Sequence, residues 1–569
     1  MKRKSTPGAG ISRRNFFKIG GAGLAGLTLP GLSILGPRKA YSYGYSSKAW
    51  KFGVMADTQW KAGTGAPGSD EDLYACAGHI IDALNTQFIK AGCKFVIQVG
   101  DMVDTESHGG NRCLPARAAH AQALYKANIG FFPLRGNHEA SRHAATEFQT
   151  LFPQAQGTGP HLNGAKILGS PSIGGLAGLS YAFDYLGVRC ILLDQFTRAD
   201  GSNYDNDAGN HNNVLDQLTW VDGLLSGKAQ SGHAFVFAHK NLVGQDHKDV
   251  LFGADEATSN LPQRDAFIQS CQANGVRYVL GGHDHMHHRS IVHTQDGGHR
   301  VGQIICSSNS YKFYTPAVPD PVVESPIAQE LYTIGFYIFT VDGPRVTVDF
   351  YSTSNGGNYG TSDLTDPPPS FVSPHTPTFH LRERFGYSLN GRQWEVARGA
   401  SYAGITDTCL GTTAKILTGA NGDTGTDKLE RALEKTVTTG WSDPVAADNA
   451  ASRILSLWGL NTNLSLFHSA SQPLPTAAAS LACDTYALSL TCNLAKVSQP
   501  DSGQLALSAR DPQNGLWTNA VNLNTGGVKS FKFGPWQSSY GLGTYGVDPS
   551  TSSVWAVVNH QTDFVAKVQ

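Results

Sequence analysis

Charge is scarce in this chain: only 16% of its 569 residues are Asp, Glu, Lys or Arg. That rules out a charged, disordered polymer, and a hydrophobic content of 40% describes a globular protein with ample material for a core. Among the nine cysteines there is no Cys-x-x-Cys pair, so zinc-ribbon and dithiol redox chemistry have no motif here. Cys93, Cys190 and Cys306 sit in apolar runs and are expected to be buried thiols, while Cys483 and Cys492 remain open as a pair. The absence of a Gly-x-Ser-x-Gly elbow removes serine-based esterase chemistry. Beyond residue 40 no apolar run is long enough to cross a bilayer, so no membrane span is expected in the mature chain.

Acid is missing from the first forty residues, which carry eight bases: Lys2, Arg3, Lys4, Arg13, Arg14, Lys18, Arg38 and Lys39. Setting these aside leaves 36 basic against 45 acidic residues, a net charge of −9. Such a mature chain has no electrostatic reason to grip a nucleic acid polymer, and small molecules are the expected substrates. Ser12-Arg13-Arg14-Asn15-Phe16-Phe17-Lys18 precedes a glycine-diluted apolar run, Ile19–Leu35. Residues 1–40 resemble a twin-arginine export signal, which implies the twin-arginine translocation machinery as a partner and a periplasmic or secreted destination. Gly21-x-Gly23-x-x-Gly26 lies inside this leader with no strand before it, so it is not a dinucleotide fingerprint.

What is plentiful is glycine, 64 residues, which favours turns and short strands. Trp50–Asp57, Phe95–Gly100, Gly130–Leu134, Ala234–Ala238 and Arg277–Leu280 read as strands, separated by helical stretches at Asp70–Lys90, Leu114–Asn128, Gln217–Leu225 and Asp265–Asn274. Tyr181–Phe183 and Arg189–Leu193 alternate like antiparallel strands, and Gly302–Cys306, Thr333–Val341 and Val346–Tyr351 look like closing ones. Residues 48–355 are therefore expected to form one α/β domain. Proline-rich residues 366–378 read as a linker, and residues 379–569 as a β-rich accessory domain broken by a helical stretch at Asp427–Lys435.

Five of these strands end on a residue fit to bind metal: Asp57, Asp101, Asn137, His239 and His283. Gathered at one sheet edge, they would make a single site. The ordered set Asp57-x-Gln59, Gly100-Asp101-x-x-Asp104, Gly136-Asn137-His138-Glu139, His239 and Gly282-His283-x-His285 resembles the calcineurin-like metallophosphoesterase superfamily over roughly residues 50–352.

The resemblance implies an α/β fold, a four-layer α/β/β/α sandwich, with two divalent metal ions about 3.5–4 Å apart. It assigns one metal to Asp57, Gln59, Asp101 and His285, and the other to Asp101, Asn137, His239 and His283. A metal-bridging hydroxide would attack phosphorus, and His138 would protonate the leaving alkoxide. Asp104 and Glu139 would stand behind the ligands and orient histidines.

Most of the superfamily has histidine at the position of Gln59. An amide oxygen is a harder ligand, so manganese is expected first, with magnesium, iron or zinc as alternatives. The Asp-x-Gln variant is also seen in manganese-dependent ADP-ribose/CDP-alcohol pyrophosphatases, whose glycine-rich ending is replaced here by Met286-His287-His288-Arg289. Purple acid phosphatases place a tyrosine ligand where this chain has Met102-Val103.

His287, His288 and His293 are expected in a solvated loop. Arg135 and Arg142 are open between clamping phosphate and surface ion pairing. The expected activity is metal-dependent hydrolysis of a small phosphomonoester, phosphodiester or nucleotide diphosphate. The alternative is a catalytically weak metal-binding core serving as an envelope binding or adhesion module.

Overall fold

The structure is a computed structural model. It describes residues 48–60, 76–104, 113–198, 212–255, 257–310, 312–314, 316–317, 323–331, 333–343, 345–353, 377, 379–389, 396–398, 406–409, 412–418, 436–442, 444, 449–458, 482–511 and 514–569. The twin-arginine segment, nearly all of the proline-rich linker and the Asp427–Lys435 stretch lie outside these residues.

The catalytic region is built on two sheets. The first runs β14(Phe379–Ser388)–β13(Arg345–Thr353)–β12(Gly335–Asp342)–β1(Trp50–Met55)–β2(Cys93–Val99)–β3(Gly130–Leu134), with β1, β2 and β3 parallel. The second runs β11(Glu324–Glu330)–β9(His287–His293)–β10(Arg300–Ile305)–β8(Tyr278–Gly281)–β7(His233–Ala238)–β6(Val188–Leu193)–β5(Tyr181–Tyr185)–β4(Lys166–Gly169), with β6, β7, β8 and β10 parallel.

Strand alternation explains how the layers form. In β7, Phe235 and Phe237 enter the core between the two sheets, while Ala234, Val236 and Ala238 face outward. Across the inner core Phe52 meets Phe235 at 5.6 Å and Phe95 meets Phe183 at 5.2 Å between ring centroids. Helix α1 (Gly78–Ala91) buries Ile80, Ile81, Leu84 and Phe88 against the first sheet. It lies so close that a side chain at Gly53 would strike the Phe88 ring. The second sheet is covered by α5 (Leu218–Ser226) and α6 (Leu261–Ala273), through Val221, Leu225, Phe267 and Ile268. Shorter helices α2 (Cys113–His120), α3 (Gln122–Lys126) and α4 (Arg142–Leu151) complete the first face. The result is the expected α/β/β/α sandwich. Cys93, Cys190 and Cys306 are buried in it.

Three expectations change. β14 pairs with β13 along its length, so Phe379–Ser388 extends the catalytic sheet rather than opening the accessory domain. Its Phe385 and Tyr387 are fully buried in the catalytic core, which is what holds the strand there. His287–His293 is a strand, not a solvated loop: His287 stacks on Phe350 at 3.9 Å, and His288 pairs with Glu324 at 3.0 Å. Arg135 neither clamps a ligand nor pairs at the surface, because it is fully buried in a two-pronged pair with Asp194 at 2.6 and 2.9 Å. Arg142 is exposed at the start of α4.

The C-terminal part is a β-sandwich with its own core. One sheet orders Val396–Arg398, Thr436–Ser442, Ile454–Trp458, Asp563–Val568, Leu505–Arg510 and Trp517–Asn519. The other orders Thr406–Cys409, Thr412–Thr418, Ala482–Thr491, Ser553–His560, Thr544–Asp548 and Ser530–Phe533. Leu455, Leu505, Leu507 and Phe564 of the first face Tyr486, Leu488, Val554 and Val558 of the second. Cys492 is buried, and the side chain of Cys483 lies outside the description. Among the described residues no helix is long and apolar enough to cross a membrane.

Candidate metal centre

Parallel strands bring their carboxyl ends to one edge, and the loops leaving β1, β2, β3, β7 and β8 deliver Asp57, Asp101, Asn137, His239 and His283 there. Backbone bonds fasten the loops together: Asp57 N–H donates to the Gly100 carbonyl at 3.2 Å, and Gly282 N–H to the His239 carbonyl at 2.8 Å. Asp57, Asp101, His283 and His285 all adopt left-handed φ, at +51°, +43°, +72° and +53°. Each such conformation costs roughly 1–2 kcal/mol in an L-residue. Four of them in one cluster mark a site where side-chain placement outweighs backbone comfort. Gly136 is required for a different reason: any Cβ there would collide with the Asp101 carboxylate.

The side chains converge as two sets that share Asp101. Ligand atoms of Asp101, His239 and His283 lie within 4.8 Å of one another, as do those of Asp57, Asp101 and His285. Gln59 joins the second set, its amide nitrogen 2.9 Å from both Asp101 Oδ2 and His285 Nε2. Asn137 joins the first, its Oδ1 2.9 Å from His239 Nε2. All seven residues are buried.

Two observations test whether these residues suit divalent cations. Asp57 Oδ2 and Gln59 Oε1 are buried with no hydrogen-bond partner, a costly condition that a cation would relieve. Half a turn of the Gln59 amide sets its oxygen beside a carboxylate oxygen and a ring nitrogen, an assembly of lone pairs that a divalent cation reconciles. The donor set fits.

Burial and mutual attraction set the charges of these groups. Burial pushes the Asp57 carboxyl up to about 8, with His239 opposing and Asp101 reinforcing the rise. Burial, the largest single influence, raises Asp101 too, but His239, His138 and His283 together outweigh it and hold that carboxyl well below the usual range. In His239, burial disfavours the imidazolium while Asp101 more than compensates, so its pKa is raised. Burial lowers His283 to about 4 and takes His285 well below its ordinary value, which keeps both rings neutral, as ligands must be.

The outer nitrogens of these rings are held by neighbours. His239 Nδ1 lies 3.1 Å from the Val99 carbonyl and His285 Nδ1 2.7 Å from the Lys312 carbonyl. His283 Nε2 faces Asp249 Oδ1 at 3.4 Å, and Asp249 is in turn paired with Lys240. Sequence reasoning missed Asp249, which lies in a polar loop without a motif. It also missed His247, whose ring lies 4.1 Å from His283 and whose Nδ1 meets buried Asp284 at 2.9 Å. The three histidines in the Gln245–His247 and Gly282–His285 loops were its only signal.

His138 stands at the more open side, 24% exposed, with Nε2 3.8 Å from Asp101 Oδ2 and Nδ1 2.6 Å from the Asp104 carbonyl. Asp104 thus orients a histidine, though with its backbone oxygen; its carboxylate is 3.8 Å away. Glu139 does not. Its two oxygens accept Val103 N–H at 2.9 Å and Gly136 N–H at 2.8 Å, so it braces the loops that carry Asp101 and Asn137.

Residues 51–287 match the family described as calcineurin-like phosphoesterase, a span that contains all seven candidate ligands and His138. No curated protein matches. Among solved structures, a dimetal phosphatase from Danio rerio is 16% identical, covering 52% of this chain and 95% of that one, with a TM-score of 0.35. A purple acid phosphatase from yellow lupin (Lupinus luteus) seeds is 14% identical, covering 60% of this chain and 54% of that one, with a TM-score of 0.38. A 5'-nucleotidase from Candida albicans is 11% identical, covering 61% and 53%, with a TM-score of 0.26. Residues 51–287 form a calcineurin-like phosphoesterase domain, and the chain is a metal-dependent phosphoric ester hydrolase.

Proposed function

We propose that this chain is an exported dinuclear phosphoesterase acting on a small phosphomonoester, phosphodiester or nucleotide diphosphate in the periplasm or outside the cell. The observation that carries the reading is Asp101, one carboxylate shared by two ligand sets, beside the partnerless oxygens of Asp57 and Gln59. Asp57, Gln59, Asp101 and His285 would hold one divalent cation, and Asp101, Asn137, His239 and His283 the second. When bound, the pair would neutralise the anionic ester and lower the pKa of a water. The amide oxygens of Gln59 and Asn137 favour manganese over softer ions.

The protein's own residues do the rest. Buried walls exclude bulk water from the ligand cluster, and the Asp104 carbonyl fixes the His138 ring through Nδ1. That leaves Nε2 to face the substrate, and the ring, carrying a proton on each nitrogen, would hand the Nε2 proton to the leaving alkoxide and keep the one on Nδ1. Export is supported by Arg13-Arg14 ahead of a glycine-diluted apolar run.

The test is hydrolysis of nitrophenyl phosphate and bis-nitrophenyl phosphate by Mn²⁺-loaded protein. Turnover of either supports the reading. Turnover of neither, with two metals bound, contradicts it.

A further inference from the structure

Beyond the ligands, the open side of the centre carries a cation that no motif announces. Lys312 follows β10, and its Nζ lies 3.2 Å from Asp104 Oδ1 and 3.5 Å from His138 Nε2. Its side chain is 18% exposed, like that of Asp104, whereas the ligands below are closed over. Its position is not casual. The Lys312 carbonyl accepts from Ser308 Oγ at 2.8 Å and holds His285 Nδ1 at 2.7 Å, so the backbone that orients a ligand histidine also aims the ammonium at the mouth of the site.

We propose that Lys312 binds a free oxygen of a terminal phosphate group and thereby selects phosphomonoesters over phosphodiesters. This deepens the dinuclear-phosphoesterase reading and rests on it.

The argument is one of oxygen count. A phosphomonoester has three terminal oxygens and a diester has two. A phosphate seated over the Asp101 cluster turns its remaining groups to the open side, where Lys312 Nζ and His138 Nε2 stand together. In a monoester one of those groups is a charged oxygen, which an ammonium binds with a charge-assisted hydrogen bond. In a diester the same place holds a second ester oxygen with its alkyl group. That arrangement gives the ammonium no anionic partner and displaces its water. Asp104 keeps Lys312 in place while the site is empty. Its pairing makes the cation a held donor rather than a free one, and His138 shares the same anion.

The test compares the Mn²⁺-loaded full chain with Lys312→Met and Lys312→Arg. Both replacements keep the backbone carbonyl that holds His285. The readouts are metal content, kcat and KM on nitrophenyl phosphate and bis-nitrophenyl phosphate, and binding of inorganic phosphate by calorimetry.

The expected result is unchanged metal content with kcat/KM on the monoester down about 10- to 100-fold in Lys312→Met, the worth of one hydrogen bond to a charged group. The diester should lose less than about threefold, phosphate binding should weaken in parallel with the monoester, and Lys312→Arg should recover much of both. Equal losses on the two esters, or loss of metal, would show a lysine that merely pins Asp104 and would overturn the assignment. If the wild type cleaves neither ester yet binds phosphate through Lys312, the hydrolase reading and the ester selectivity fail, while Lys312 as the phosphate ligand stands. Phosphate binding indifferent to Lys312→Met removes the assignment alone.

Discussion

The side-chain amide of Gln59 and the ring of His285 meet at 2.9 Å, although 226 positions separate them in the chain, and both abut Asp101. This contact places a neutral amide in one of the two ligand sets, with its oxygen buried and partnerless.

Replacing Gln59 with leucine, which keeps bulk but removes both polar atoms, should therefore disturb one set and spare the other. We expect metal content to fall from two ions per chain toward one, with affinity at the altered position at least about tenfold weaker. Metal analysis after dialysis reads this directly. Retention of two ions would show that Gln59 is not a ligand.

His138→Ala should leave metal content intact, because His138 lies beside the ligands rather than among them. Its loss should depend on the leaving group. An alkyl phosphate should slow by about 10²–10⁴-fold, the usual worth of a general acid, and a nitrophenyl ester far less. Equal loss on both would remove the proton-donor role.

The Arg135–Asp194 pair makes a stability prediction. Arg135 also donates to the carbonyls of Glu139 and Ser141 at 3.0 and 3.2 Å, so it supports the loop bearing Asn137 and His138. Arg135→Met strands a fully buried carboxylate and should cost about 3–5 kcal/mol, seen as a fall in Tm of several degrees. A change under roughly 0.5 kcal/mol would mean that the pair is not closed as described.

The ligands were legible because each ends a short apolar strand: a run such as Phe95–Val99 can only be a buried strand, and a polar residue at its exit is out of place unless it is used. What stayed hidden depends on partners distant in sequence. Glu139 reads as an orienting carboxylate until two backbone N–H groups are found on it. His287–Arg289 looks like a solvated run because its partners, Phe350, Glu324 and Phe385, come 35 or more residues later. β14 lies past a proline-rich stretch that reads as a boundary, yet its register with β13 returns it to the catalytic sheet. Lys312 and Asp249 are single charged residues in loops, where a sequence gives no direction.

The C-terminal sandwich carries a pH dependence of its own. His560 is 1% exposed, with Nε2 2.8 Å from the Ala520 carbonyl and Nδ1 without a partner. Burial lowers it to about 4, partly opposed by the Ala520 bond. As pH falls below about 6.5 the unfolded chain takes up a proton that the folded one refuses. Stability is thus complete above about 6.5 and declines toward pH 4, by roughly 3 kcal/mol in all. His560→Gln keeps an N–H for Ala520 and should flatten this decline. Thermal midpoints from pH 8 to pH 4 measure it, and parallel curves for the two proteins would sink the idea.

The measurement that bears most directly on the shared-carboxylate centre is metal stoichiometry in Asp101→Asn, taken beside the wild type with hydrolysis of both nitrophenyl esters. Two ions per chain in the wild type, with both lost together with activity in the variant, is the predicted result. The loss in affinity should exceed the roughly 10- to 100-fold of a change behind the ligands. A variant that keeps two ions, or keeps its rate without them, would contradict a centre built on Asp101.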